Sequence, residues 1–276
     1  MSERRALPPA RLRRYLNQIL RRYHCAAQTA QDPVGFVRRY TDLADREIAA
    51  LVAASLAFGS LRGILRSVER VLSRLGPHPA KAVVPRPERT AWLHERLEGF
   101  RHRWVDSVSL IALLEAAGDL QARDGSLERT FRHAWEGADR AWQALDSFVH
   151  QFYAFAGTTP LQRLWPDPCR GSACKRVWLF LRWMTRRDEV DPGGWDVIRP
   201  SDLRIPLDVH TFRAARRLGW TRRKRPDRVA AEEVTHALRC LCPRDPVLYD
   251  FALAHAGAAQ ARPRRRSDPH THHPTR

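Results

Sequence analysis

At 276 residues and 43% hydrophobic side chains, the chain can bury a substantial core, in one large domain or in two helical lobes around a cleft. No apolar run reaches the roughly 18 to 20 residues that a membrane span needs. The basic N-terminal stretch MSERRALPPARLRRYLNQ lacks the apolar segment of a secretory signal, so the expected location is cytoplasmic. A formal charge of +18, from 48 basic against 30 acidic residues, attracts polyanions, although an arginine-rich proteome would produce the same excess.

Helical periodicity dominates and predicts an all-α fold. Leu12, Tyr15, Leu16, Ile19, Leu20 and Tyr23 share one helix face, ending before Gln31-Asp32-Pro33. A second helix begins near Asp45 and breaks at Phe58-Gly59-Ser60, and a third runs from Leu61 to Leu75 before Gly76-Pro77. Residues 78 to 105 are rich in proline and charge and read as a connector with one short helix. Helices follow over Val108 to Ala117, Leu127 to Trp135 and Ala141 to Ala156. A turn-rich stretch from Trp165 to Gly171 leads into a helix from Ser172 to about Arg187. Another Pro/Gly-rich stretch, Asp191 to Pro206, precedes a helix from Asp208 to Leu218, and the last two helices span about 227 to 241 and 246 to 256. From Arg262 the basic, histidine-containing tail has no apolar anchor and is expected to be disordered, leaving 1–261 as the folded unit.

Five scattered cysteines, Cys25, Cys169, Cys174, Cys240 and Cys242, form neither a disulfide framework nor a metal finger, so neither a metal nor a cofactor is expected. Lysine is more informative. It occurs only at Lys81, Lys175 and Lys224, and every other basic residue is arginine. Where positive charge is all that is needed, this chain uses arginine; a lysine therefore raises the question of amine chemistry, since an amine can be deprotonated and act as a nucleophile.

Two segments focus that question. The turn Gly171-Ser172-Ala173 opens an apolar helix through Lys175 and Arg176, and small residues before a helix N-terminus allow close backbone approach to a phosphate. Further on, Asp208 stands at the N-cap position of an amphipathic helix carrying Phe212, Ala215 and Leu218. Capping and electrostatic catalysis are compatible roles, because a helix N-terminus favours a carboxylate charge.

The segment LDVHTFRAARRLGW resembles the stretch bearing the catalytic aspartate in endonuclease III-type helix-hairpin-helix DNA glycosylases. GSACKRVWLFL resembles their hairpin and the following helix, where bifunctional members place a lysine nucleophile. The similarity extends to YDFALAHAG at 249 to 257 and, more weakly, to 45 to 72, while 78 to 165 is unmatched. The whole chain also resembles a bacterial family that shares this core. The resemblance implies a two-lobed helical fold with a helix-hairpin-helix motif and a central cleft, the catalytic core lying at about 165–257. It implies Lys175 as nucleophile and Asp208 as the carboxylate beside it. Gly171, Ser172, Ala173, Arg176 and Arg213 would contact nucleic acid, and Phe58, Trp178 and Trp220 would be candidates for a base pocket or wedge. The partner would be DNA or structured RNA, bound by a monomer.

Three departures accompany it. Ala173 stands where a second hairpin glycine is usual, no four-cysteine iron-sulfur motif follows Gly257, and the interval between Lys175 and Asp208 contains an extra loop through Pro192-Gly193-Gly194-Trp195. The readings that follow are a DNA glycosylase with β-elimination lyase activity, a helix-hairpin-helix protein that binds nucleic acid without catalysis, and an unrelated all-α protein in which Asp208 is only a cap.

Overall fold

The structure is a computed structural model that describes residues 9–138, 140–157 and 161–261. The predicted tail from 262, with its histidines, lies outside the described residues. The described chain is predominantly helical, as its periodicity predicts, and a single two-stranded sheet is its only extended element of named strands. No described helix is long and apolar enough to cross a membrane.

The first long helix, α1 (Pro9–Tyr23), is followed by the short α2 (Ala26–Thr29) and α3 (Val34–Val37). Next comes α4 (Leu43–Ser55), buried almost all round from Ile48 to Ser55, which makes it the axis of the fold. Asp42 caps it by accepting from the Asp45 amide at 3.0 Å. A helix apolar on every side must be surrounded, and α4 packs against α3, α5 (Leu61–Leu75), α6 (Pro79–Val83), α8 (Ser107–Asp124) and α11 (Lys175–Thr185). The α8 helix and its neighbours α9 (Leu127–Glu136) and α10 (Ala141–Ala156) form a second packed group, with Phe131, Phe148, Phe152, Trp165, Phe180 and Trp195 interlocked in one aromatic core.

The remaining helices are α7 (Arg89–Arg96), α12 (Val209–Leu218), α13 (Arg228–Leu241) and α14 (Asp250–Ala261). Both α1 and α12 pack on α14. The α12 contact is close because of Gly257, where an added Cβ would come within 2.9 Å of the His210 Cβ.

Three local expectations need correction. The connector 78 to 105 contains two short helices, α6 and α7, and enters a β-hairpin pairing β1 (Arg101–His102) with β2 (Val105–Asp106). Strands of two residues are too short to show alternation. The helix expected from Ser172 begins at Lys175, because Cys174 takes a left-handed conformation (φ 46°) that interrupts helical geometry. The last helix starts at Asp250, since Asp245 to Tyr249 form successive turns, with Leu248 N donating to Asp245 O and Asp250 N to Val247 O.

The predicted extra loop is a structural strap. Gly193 N donates to Trp183 O and Trp195 N to Met184 O. The Trp195 indole reaches across to Glu47 Oε1 at 2.9 Å. Glu47 is fully buried at the centre of the fold and also accepts from Gln121 Nε2 and from the Leu127 and Glu128 amides that open α9. Four donors on one carboxylate make its burial tolerable, and burial raises its pKa against their pull.

Candidate active site

A cleft of about 440 Å³ lies where α11, α12 and α14 meet the loop between α4 and α5. Lys175 and Asp208 both line it. Lys175 is the first residue of α11 and half-buried; its Nζ donates to Ala57 O at 2.9 Å, just beyond the C-terminal end of α4. Asp208 caps α12 by accepting from the Thr211 amide at 2.6 Å. The preceding segment fixes it there. Ile205 and Leu207 are buried in the core, and Ile205 N donates to Thr235 Oγ1 at 3.1 Å.

The cleft floor holds a charged network that sequence reasoning does not single out. Arg182, 2% exposed at its side chain, donates through Nε and Nη2 to Asp191 at 3.1 and 3.0 Å, and through Nη1 to Asp250 Oδ2 at 2.6 Å. Arg186 joins through Asp191, Asp188 and Asp245. Such groups are stable only when paired. Arg182 and Asp250 both line the cleft. Burial pushes Asp250 up to about 6 against the pull of Arg182, and the neighbouring Asp208 charge adds to the rise. At the cleft's other edge His255 Nε2 lies 3.2 Å from Asp32 Oδ2, and its ring centroid is 4.2 Å from that of Phe251. The signals are present in the sequence as ionisable residues inside apolar runs: Arg182 in VWLFLRWM and Asp250 in YDFALA.

The other expected residues divide. Phe58 lines the cleft, half-buried, with the Arg176 guanidinium over its ring at 5.1 Å. Arg176 turns away from the turn before α11 and donates to Ser55 O and Arg163 O. Burial pulls it down to about 10, so it stays charged at neutral pH. Trp178 is 1% exposed and packs edge-on to Trp142, away from the cleft lining. Trp220 is half-buried after α12, likewise outside that lining. In the turn itself Gly171 is exposed, Ser172 is half-buried and Ala173 is buried. The Gly171 carbonyl accepts from Arg228 N at 2.9 Å, which ties the turn to the start of α13. None of the three lines the cleft.

Cys174 precedes Lys175 and is the nearest alternative nucleophile in sequence. It is 1% exposed, and burial pushes its thiol up to about 12, which leaves it protonated and unreactive at neutral pH. Elsewhere, Asp146, Asp167 and Cys169 bring one ligand atom each within 4.8 Å of one another, a grouping the cysteine spacing does not reveal.

Arg213 lies in a shallower groove of about 650 Å³ with Arg216, Arg217, Phe212, Gly219 and Pro226. Val209 lines both this groove and the cleft, so the two adjoin at that side chain. Exposed Arg222, Lys224 and Arg225 extend the basic surface along the chain, while Arg223 pairs with Asp227. A strip of this kind beside a cleft concentrates polyanions.

The family described as a protein of unknown function, DUF2400, matches residues 32–259. The match takes in the cleft, the charged network and the segment 78 to 165. No curated protein and no solved structure matches the chain.

Proposed function

For this chain, which belongs to the DUF2400 family, we propose the function of a DNA-binding glycosylase with β-elimination lyase activity, built on a two-lobed helix-hairpin-helix architecture. The observation that carries the reading is the convergence of Lys175 and Asp208 on one cleft, which adjoins the Arg213, Arg216 and Arg217 groove at Val209. The amine is at the start of one helix and the carboxylate at the start of another, a placement helix capping alone does not require.

The chemistry follows from those two groups. Breaking a C1′–N bond develops positive charge on the sugar, which the Asp208 carboxylate stabilises electrostatically. Once deprotonated, the Lys175 amine attacks C1′, and the base leaves with the bonding electrons and takes up a proton. Loss of the amine proton and opening of the sugar ring give an imine, from which β-elimination expels the 3′ phosphate. His255, oriented by Asp32, is a proton carrier at the same cleft. Reaching C1′ requires the nucleotide to leave the stack at a cost of about a few kcal/mol, and the arginine groove supplies phosphate contacts that offset it.

A second reading, nucleic-acid binding without catalysis, is favoured by one observation: the Lys175 amine already donates to Ala57 O, which makes it a structural tie between α11 and α4. Borohydride trapping separates the two. Incubation with abasic and 8-oxoguanine duplexes under borohydride is expected to give a covalent complex that Lys175→Ala abolishes. Salt-dependent DNA binding without trapping on any of a broad panel of lesions would leave binding as the better account.

A further inference from the structure

The hairpin that interrupts the helical fold ends at the rim of the cleft. Its two central residues are Arg103 and Trp104, between His102 and Val105. Trp104 is 51% exposed, a large aromatic surface left in solvent. It stacks on Phe58, a cleft-lining residue, with ring centroids 4.5 Å apart and planes within 25°. We propose that Trp104, held on Phe58 by this hairpin, is a stacking platform for an unpaired nucleobase of the bound DNA strand, at the mouth of the Lys175 cleft. The proposal rests on the nucleic-acid reading above and assigns the base-contacting role to a residue outside the segment that carries the glycosylase resemblance.

Rigidity is the first argument. His102 is 5% exposed and clamps the hairpin: its Nε2 donates to Phe58 O at 2.9 Å, and its Nδ1 accepts from Ser67 Oγ at 2.9 Å. Burial lowers its pKa, which keeps the ring neutral and this one-donor, one-acceptor arrangement intact. The His102 ring also meets Phe58 edge-on at 4.7 Å. The platform is therefore pre-ordered, and a base that stacks on it need not order it.

Backbone strain is the second. Arg103 adopts φ 56° at the first central position of a two-residue hairpin, where glycine is favoured. Its side chain lies over Gly59, close enough that an added Cβ there would come within 2.9 Å of the Arg103 Cδ. A side chain kept at a strained position, against a neighbour that has none, marks a tip shaped by more than folding. The Arg103 guanidinium stands 5.4 Å from the Trp104 ring centroid, which puts a phosphate-binding cation beside the stacking surface.

Distribution is the third. Among the exposed large hydrophobics of the described residues, Leu61 and Val209 line the same cleft and Trp104 sits on its lining residue Phe58. Three of the seven exposed large hydrophobics of the described residues stand at this rim, with exposed Arg62 and Arg103 beside them, a mixture that fits an amphipathic polyanion better than a purely apolar partner. Every base offers a π-face, so this contact reads whether a base is unpaired rather than which base it is.

Fluorescence anisotropy with the full chain tests it, using two labelled duplexes identical except that one carries a small bubble of unpaired thymines. The wild type is expected to prefer the bubble. Trp104→Ala should weaken bubble binding roughly 5- to 150-fold, the range that loss of one stacked base gives, while fully paired affinity stays essentially unchanged and loss of the Phe58 contact lowers the melting temperature by no more than about 6 °C. Trp104→Phe should retain most of the preference. A bubble preference that survives Trp104→Ala overturns the platform and leaves the Lys175 chemistry standing. The same holds for a loss that is equal on both duplexes. Absence of salt-dependent binding by the wild type to either duplex overturns the nucleic-acid reading itself, and the platform with it.

Discussion

Asp208 serves as a helix cap whatever else it does, and the cap separates by substitution from the proposed catalytic role. Its carboxylate accepts from the Thr211 amide at 2.6 Å. Asparagine is as good an N-cap as aspartate, whereas alanine in place of a capping side chain costs about 1 kcal/mol. For a protein of this size each kcal/mol moves the melting temperature by roughly 2–4 °C. Asp208→Ala is therefore expected to melt about 2–4 °C below wild type, and Asp208→Asn within about 1 °C of it. The charge behaves otherwise, because neither variant retains it. Removing a preorganised electrostatic stabiliser costs about 10²–10³ in rate, so single-turnover base release should fall by at least about 100-fold in both. Differential scanning fluorimetry and a gel-based release assay, on the lesion duplex that traps most efficiently, give the two readouts on the same samples. Near wild-type release by Asp208→Asn would refute the catalytic role and leave only the cap.

Glu47→Ala is expected to be more costly than Asp208→Ala. It removes the acceptor of four donors, from Gln121, Leu127, Glu128 and Trp195, of which the Leu127 and Trp195 bonds are fully buried. At about 1 kcal/mol or more each, less the relief of no longer burying a carboxylate, the net loss is roughly 3 kcal/mol, or about 6–12 °C in melting temperature; a shift under about 2 °C would show that the network is not cooperative. Asp250 predicts a pH dependence. Its folded value, about 6, lies above its ordinary 3.8, so its contribution is fully present below the ordinary value and is lost as pH rises through 6. A gap of that width between folded and unfolded chains corresponds to roughly 3 kcal/mol, which disappears between about pH 4 and 6. Asp250→Asn removes this component, so urea melts should show the wild type losing stability relative to the variant across that window. A difference that stays constant with pH would contradict it.

Much of the helical frame is legible in the sequence because its helices are long and bounded by recognisable residues. Periodicity predicts the α10 helix with its observed ends, Ala141 and Ala156, and the break at Phe58-Gly59-Ser60 falls between α4 and α5. The hairpin at 101–106 is not legible, since two residues per strand leave no period to detect. Trp104 is hidden with it. The floor of the cleft escapes for another reason. Arg182, Asp191 and Asp250 come from separate segments, and their mutual neutralisation exists only once those segments meet. In the sequence each is one charge among apolar neighbours, and Trp178 shows the converse: an aromatic beside the proposed nucleophile that folding sends into the core.

The neighbours Lys175 and Arg176 show why position on the helix matters as much as residue type. Consecutive helical side chains diverge by about 100°, so at most one of the two can face the cleft squarely. Lys175 takes that direction and lines the cavity. Arg176 is turned onto Phe58 and the carbonyls of Ser55 and Arg163, where a planar guanidinium can make several contacts at once and an ammonium could not. The exchange of roles would waste both groups: an arginine facing the cleft has no nucleophilic form, and a lysine under Phe58 could not span both carbonyls while covering the ring. In a chain that otherwise writes its positive charge as arginine, the amine stands at the cleft and the guanidinium at the scaffold. Lys175→Arg is therefore a sharper probe than Lys175→Ala, since it keeps a cation within reach of the Ala57 carbonyl while removing the proposed amine chemistry.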